Sequence, residues 1–375
     1  MAEKRTRGRG GEERYRRSRF LMSYWLGPVL VFENYARQER IAGSPFVSEV
    51  LDYCGAGKTL REIEEQFPEQ RGALRAGIRQ LLKHSLLEIC GQENRELERS
   101  WAGWSRWNPA AGYFHLSTKD AKYALPSEDN RGNGLRRIAK LRPLPPRVKK
   151  YPDAPAAALP RITCESEFAR VLETRRTWRE FAAPPVTLEK LAQLLWWSFG
   201  VQGWAKIAGV GNLALKTSPS GGALHTLEAY VLVRNVEGLA AGIYHYEAAG
   251  HRLELLRKGL RGGEIGKMLG GQRWAGGAAF VVLLTAVFER TQWKYEHARA
   301  YRVVLAEAGH QCQTFCLTAT WLGLAPFCTM ALADTQIEKA LGIDGVSESV
   351  LYAAGAGVRP AGKATAERWR SERGE

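Results

Sequence analysis

No run of apolar residues in this 375-residue chain is long enough to cross a membrane as a helix. The longest, Ala278 to Phe288, falls well short of the ~20 residues a span needs. No internal repeat is visible. Cysteine is sparse and scattered, at positions 54, 90, 164, 312, 316 and 328, so no disulfide framework is implied. Cys312 and Cys316 share one helix face, a spacing that serves a metal only if further ligands converge; free buried thiols are expected instead, and no metal. A cleavable signal is not expected either. Arg16–Arg17 precede the apolar stretch Phe20–Phe32, but a twin-arginine signal would place Phe one residue closer. The stretch also contains Gly27 and Pro28, ends at Glu33 and is followed by no small-x-small site. A cytoplasmic protein is the expectation. Gly55-Ala56-Gly57-Lys58-Thr59 ends like a P-loop, yet Asp52 stands where that motif needs its first glycine, which argues against an ATPase.

Basic charge, by contrast, is in excess. The net charge of +15 raises the question of a polyanionic partner, but it is concentrated in two blocks. One runs from Lys4 through Arg5, Arg7, Arg9, Arg14, Arg16 and Arg17 to Arg19, the other from Arg136 to Lys150. Such runs form solvated tails and linkers more often than binding sites, so nucleic acid is the less favoured partner and a disordered tail over residues 1–20 is expected. With 45% hydrophobic residues the chain can bury one large core or two smaller ones.

Between residues 21 and 95 the pattern describes a small winged-helix-like domain. Leu21–Phe32 is strand-like. Ser44 and Pro45 open a short helix ending at Tyr53, and Thr59 with Glu62 forms a capping box for a second. Leu74–His84 is a third helix and Leu86–Ile89 a return strand. Winged helices bind DNA or hold peptides by strand addition. Arg71, Arg75, Arg79 and Lys83 lie along the third helix at four-residue steps, and the favoured reading makes them its solvated face. Residues 96–160 hold an aromatic cluster, Trp101, Trp104, Trp107, Tyr113 and Phe114, and then a proline-rich linker. From about residue 161 to 365 the texture is that of an α+β domain, before a short tail over 366–375.

The longest helical pattern starts near Lys294 and stops at Gly323. Polar positions are few after Glu307, so burial nearly all round is expected, with an adjacent Lys294–Tyr295 pair at its mouth. Arg175, Arg176, Thr177 and Arg179 fall together at a helix-to-loop junction; forked guanidinium donors and a hydroxyl at that spacing can surround a phosphate. Thr217–Ala223, with Pro219, Ser220 and Gly221, is a loop of small residues that lets backbone approach a flat ligand.

Together these segments resemble the nitroreductase superfamily, and more closely its SagB/ThcOx-type branch of peptide azoline dehydrogenases. The matching pieces are RRTWREF (Arg175–Phe181), PVTLEKLAQLLWWSFGV (Pro185–Val201), SPSGGALHTLEAYVLV (Ser218–Val233), GIYHY (Gly242–Tyr246) and KYEHARAYRVVLAEAGHQCQ (Lys294–Gln313). YFHLSTK (Tyr113–Lys119) resembles a segment preceding the catalytic domain in this branch. Two positions depart from the pattern: Gln313–Thr314 stands where Gln-Asn is frequent, and Lys216 where Arg is frequent.

The resemblance implies a mostly antiparallel sheet with flanking helices, and FMN at the interface of a homodimer. Arg175, Arg176, Thr177 and Arg179 match residues that grip the phosphate and ribityl chain. Pro219, Ser220 and Gly221 match the loop laid against the isoalloxazine by the partner subunit, Lys216 is a cofactor-binding position where Arg is frequent, and Arg359 matches a position often used for the phosphate. Lys294 and Tyr295 match the pair these dehydrogenases are thought to need. Aromatising an azoline removes the ring Cα proton and a hydride from Cβ, the latter taken by flavin N5, so a base must face the flavin. Tyr295 is the expected base and Lys294 its activator, since an ammonium favours a phenolate, although the roles could be reversed. A peptide substrate and a cyclodehydratase complex are the implied partners. An NAD(P)H-dependent nitro or quinone reductase and a DNA-binding flavin sensor stand as alternatives.

Overall fold

The structure of the chain, a computed structural model, describes residues 12–92, 95–122 and 166–361, with scattered positions between 136 and 160. The chain divides into two units, Met1–Lys119 and Asp120–Glu375. The proline-rich linker and second basic block lie largely outside the described residues, as do Cys164 and the tail over 366–375.

The first unit departs from expectation at its start. Arg14–Arg17 is not tail but strand β1, and it is the middle strand of a three-stranded sheet, between β5 (Lys58–Thr59) and β6 (Leu87–Ile89). Its arginines find acids on what surrounds them. Arg14 meets Glu62 at 3.3 Å, Arg16 meets Glu98 at 2.5 Å and Arg17 meets Asp52 at 3.3 Å. A basic strand whose every arginine has an acidic partner can be ordered at little electrostatic cost. The apolar stretch after it splits at Gly27–Pro28 into a hairpin, β2 (Leu21–Leu26) and β3 (Val29–Asn34), with β4 (Glu39–Ala42) beside β3.

Helices α1 (Pro45–Tyr53), α2 (Leu60–Gln66) and α3 (Arg71–Lys83) follow, and the capping box on α2 is formed in both directions between Thr59 and Glu62. Phe32, Leu51, Ile63, Leu86 and Leu87 close the core between helices and strands. On α3, Arg71 and Arg75 reach Glu64 of α2 at 3.4 and 2.7 Å. Two of its four cations are therefore spent within the domain. The aromatic segment, expected in a separate linking stretch, belongs to this unit as α4 (Arg95–Trp101) and α5 (Asn108–Ser117). Trp101 stacks on Trp104 with centroids 5.2 Å apart and meets Phe20 edge-on at 5.3 Å.

The second unit is built on a six-stranded sheet with every pair antiparallel. Its strands are β9 (Leu227–Val233), β10 (Gly242–Glu247), β11 (Arg252–Lys258), β12 (Phe280–Val287), β13 (Leu324–Thr329) and β14 (Glu348–Val358), in the order β11-β10-β9-β12-β14-β13. The central strands β9 and β12 are buried on both faces, which is why they read as unbroken Val/Leu runs instead of alternating. Against the sheet lie α6 (Glu167–Thr174), α7 (Leu188–Phe199) and the 22-residue α10 (Ala300–Trp321), with Phe199 and Phe280 each meeting Phe315 of α10. The short helices α8 (Gly262–Met268), α9 (Phe288–Gln292) and α11 (Asp334–Leu341) and the hairpin β7 (Gly203–Ile207)–β8 (Gly211–Leu215) complete the unit. No described helix is long and apolar enough to cross a membrane.

α10 begins at Ala300, five residues after Tyr295, and is not buried all round. Ala306, His310, Gln313 and Trp321 are exposed, with Gly309 and Leu317 half-buried between them. One mixed stripe of small, polar and aromatic residues is thus left open along its length.

Candidate active site

The residues singled out from the sequence fall into two clusters along α10. The first surrounds β13. Arg175 ends α6 and feels the thiols of Cys316 and Cys328. Trp178 N–H donates to Pro326 O at 2.8 Å, which pins the turn after α6 to the sheet. Arg179 lies over the Trp274 ring at 5.7 Å, and that indole packs on Phe327 of β13. Arg359, just past β14, donates from Nε to Leu324 O at 2.8 Å and from Nη2 to Thr320 O at 3.0 Å, so it closes the end of α10.

Arg176 turns back on its own backbone, to Glu173 O at 2.8 Å and Arg175 O at 2.7 Å. The Arg175 guanidinium makes no hydrogen bond to the described residues, while its backbone N–H donates to Val171 O at 3.0 Å. Cationic forks gathered in one place, with Thr177 exposed among them, are a donor set that fits a phosphate. In the same region Tyr352 Oη donates to Cys328 Sγ at 3.6 Å. A hydrogen bond from Cys316, then Tyr352 and the charge of Arg175, lower the Cys328 thiol to about 6. No group of described residues could hold a metal.

The second cluster lies at the other end of the helix. Lys294 and Tyr295 occupy the turn between α9 and α10, with Lys294 Nζ 5.2 Å from the centroid of the Tyr295 ring. Against them lies the loop of small residues. A Cβ on Gly222 would come within 2.8 Å of Lys294 Nζ and 3.0 Å of Tyr295 Oη, and one on Gly221 within 2.4 Å of Val303 Cγ1. Only glycine lets the loop approach so closely. Gly222, Ala223 and His225 all have positive φ, at 69°, 56° and 44°. Such backbone in two non-glycine residues costs roughly 1–3 kcal/mol each and is found where function holds it.

Side chains that the sequence reading passed over fix this loop. Ser220 Oγ donates to Glu307 Oε2 at 2.7 Å and accepts from His225 N–H at 2.9 Å, so its hydroxyl is committed within the chain. Ser218 pairs with Thr314 at 2.7 Å, the residue that departs from the family pattern, and Pro219 O lies 3.4 Å from His310 Nδ1. Burial raises the Glu307 carboxyl, with the Ser220 hydrogen bond opposing it, and burial lowers His225 to about 4, reinforced by the charge of Lys216. His225 is therefore neutral at pH 7, and its Nε2 donates to Ala214 O at 2.8 Å. Glu307 carried a signal, being the one acid in the middle of an otherwise apolar helix. His225 carried none beyond its place beside the glycines. Lys216 is not brought to the arginines; it lines a cavity under the loop with His225, Glu228 and Arg290.

The nitroreductase family model matches residues 172–358. MJ1384 of Methanocaldococcus jannaschii, a protein that carries the name nitroreductase, is 34% identical over 179 residues, 48% of this chain and 86% of its own. The chain belongs to the nitroreductase family. Its sheet and helices are the nitroreductase fold, preceded by a separate small domain of sheets and helices. Two further family relatives are the trifolitoxin-processing protein TfxB of Rhizobium leguminosarum bv. trifolii, 34% identical over 37% of this chain, and the microcin B17-processing protein McbC of Escherichia coli, 30% identical over 34%. The chain spans 38% and 48% of the lengths of these two. A chain in the solved E. coli microcin synthetase McbBCD complex with truncated pro-MccB17 bound is 22% identical, with 64% of this chain and 84% of that one covered and a TM-score of 0.45.

Proposed function

We propose that this nitroreductase-family chain is an FMN-dependent dehydrogenase or oxidase that converts thiazoline or oxazoline rings of a ribosomally made peptide to azoles. The observation that carries the reading is the contact of Lys294 and Tyr295 with the Gly221–Gly222 turn, where a base and a cation meet backbone stripped of side chains. Reduction of a substrate needs no base at that position, whereas aromatising an azoline does. The relatives named for processing trifolitoxin and microcin B17 support a peptide as substrate.

In this reading Arg175, Arg176, Thr177, Arg179 and Arg359 hold the cofactor phosphate and ribityl chain, and Pro219, Ser220 and Gly221 lie against its ring. Ser220 would act through backbone, since its hydroxyl is used by Glu307 and His225. Bound FMN supplies the two-electron acceptor that aromatisation requires. Tyr295 Oη takes the proton from the ring carbon, with the Lys294 ammonium beside its ring.

The two clusters sit beside Val303 and Thr320, about 25 Å apart along the axis of α10 at 1.5 Å per residue. One flavin does not span that distance, so the phosphate cluster of one copy works with the Lys–Tyr pair of another. The open stripe Ala306, His310, Gln313 and Trp321 on α10 is the surface such a homodimer would cover. Within the first unit, the winged-helix-like fold would clamp the peptide, beside a cyclodehydratase partner.

A second reading, an NAD(P)H-dependent nitro or quinone reductase, draws on the long match to MJ1384. Tyr295→Phe separates the two. It should leave the yellow flavin spectrum and any nitro reduction in place while azole formation on an azoline peptide stops. Azole formation that persists in the variant would remove Tyr295 from its role.

A further inference from the structure

We infer that the cavity beneath the glycine loop is a binding site for a carboxylate with an aromatic or apolar body. The cavity has a volume of about 530 Å³, in the range of small-molecule sites, and lies wholly within the second unit between the β7–β8 hairpin, the loop and α9. Its charged lining is committed with one exception. Glu228 accepts from Arg290 on one oxygen and faces His245 Nε2 at 3.1 Å on the other. Arg290 also donates to His225 O at 3.0 Å, and Glu247 accepts from the backbone N–H of Ala249 and Gly250 at 3.0 and 2.8 Å.

Lys216 makes no hydrogen bond or ion pair with the described residues. Its ammonium, half-buried and pulled down in pKa by burial, only senses the charges of Glu228, Arg290 and Glu307 at a distance. The single uncommitted charge on the wall is thus a cation, so the complementary ligand group is an anion. Apart from Asn212, the rest of the wall is apolar. Trp204 and Trp293 stand at 56% and 59% exposure beside half-buried Leu224, indoles that serve no core in this unit. A ring between them and a carboxylate on Lys216 satisfies both features.

This assignment moves Lys216 from the cofactor set to a ligand site and stands whether or not the chain carries a flavin. Two sources supply the chemistry: the C-terminal residue of a peptide, or a free aromatic acid.

The test is calorimetric titration of the full chain, as purified, with N-acetylphenylalanine and with its C-terminal amide. The acid should bind about tenfold to a hundredfold more tightly, the value of one charge-assisted hydrogen bond. Lys216→Met should abolish that difference, Trp204→Ala should weaken both ligands alike, and Lys206→Met on the exposed face of the hairpin should change neither. Circular dichroism establishes that each variant is folded. A tripeptide ending in phenylalanine that outbinds phenylpropionate assigns the site to a chain terminus; equal binding assigns it to small acids, and either supports the inference. Acid and amide binding alike, no binding of either, or a preference for the acid that survives Lys216→Met overturns it.

Discussion

Gly222→Ala is the sharpest single perturbation of the proposed site, because its effects on stability and on chemistry can be worked separately. The residue has φ +69°, and an L side chain there costs about 1–2 kcal/mol. The new Cβ would also sit 2.8 Å from Lys294 Nζ and 3.0 Å from Tyr295 Oη. Lys294 is exposed and its end can swing aside, so steric relief adds little to the stability cost. For a unit of this size, 1 kcal/mol corresponds to roughly 2–4 °C in Tm, and the melting point should fall by about 2–8 °C. Relief comes, however, at the expense of the Lys294–Tyr295 geometry, where a displacement near 1 Å can cost up to about a hundredfold in turnover. Flavin should still be held by the phosphate arginines at the far end of α10, with its spectrum altered where the loop meets the ring. Melting curves, flavin absorbance and azoline turnover on one preparation decide the matter. A variant that melts with the parent and turns over at its rate would refute both the left-handed turn and the role of the contact.

Two further predictions follow from the second unit. The His245 ring is raised to about 9, first by its hydrogen bond to Glu228 and then, against the cost of burial, by Glu254. Its folded pKa exceeds its unfolded one, so its contribution is complete below about pH 6.5 and lost as pH rises through about 9. His245→Gln should lower stability by about 1 kcal/mol at pH 6, after allowance for solvent screening, and by much less at pH 9.5; urea midpoints that shift equally at both would contradict this. Gly309→Ala probes the stripe on α10. Nothing lies within 4 Å of the added methyl in a single chain, and helix propensity alone favours alanine by about 1 kcal/mol. Dimer affinity should nonetheless fall at least about tenfold if another copy packs there, and sedimentation equilibrium showing undiminished association would place the interface elsewhere.

What could be read from the sequence was what rests on local physics. Thr59 and Glu62 marked the start of α2, and the helical pattern running to Gly323 marked α10, because caps and periodicity leave their signature within a few residues. The hairpin β7–β8 and strand β11 escaped, being mostly exposed and carrying no apolar alternation. Both site clusters were named from the sequence, but their separation along α10 was not. Neither was the commitment of Ser220 to Glu307, because a hydrogen bond across 87 positions leaves no trace in spacing. The arginine-rich start misled for a related reason. Its acids lie on α1, α2, β6 and α4, and a run of like charge announces repulsion only until its distant counterparts are known.

That start has a consequence for how the first unit comes into being. The earliest described strand, β1, occupies the centre of its sheet, so neither β5 nor β6 has a neighbour there until the later chain folds back on it. Shaving off the opening residues as dispensable would leave β5 and β6 facing each other across an empty lane, and would unseat a domain whose helices are otherwise intact.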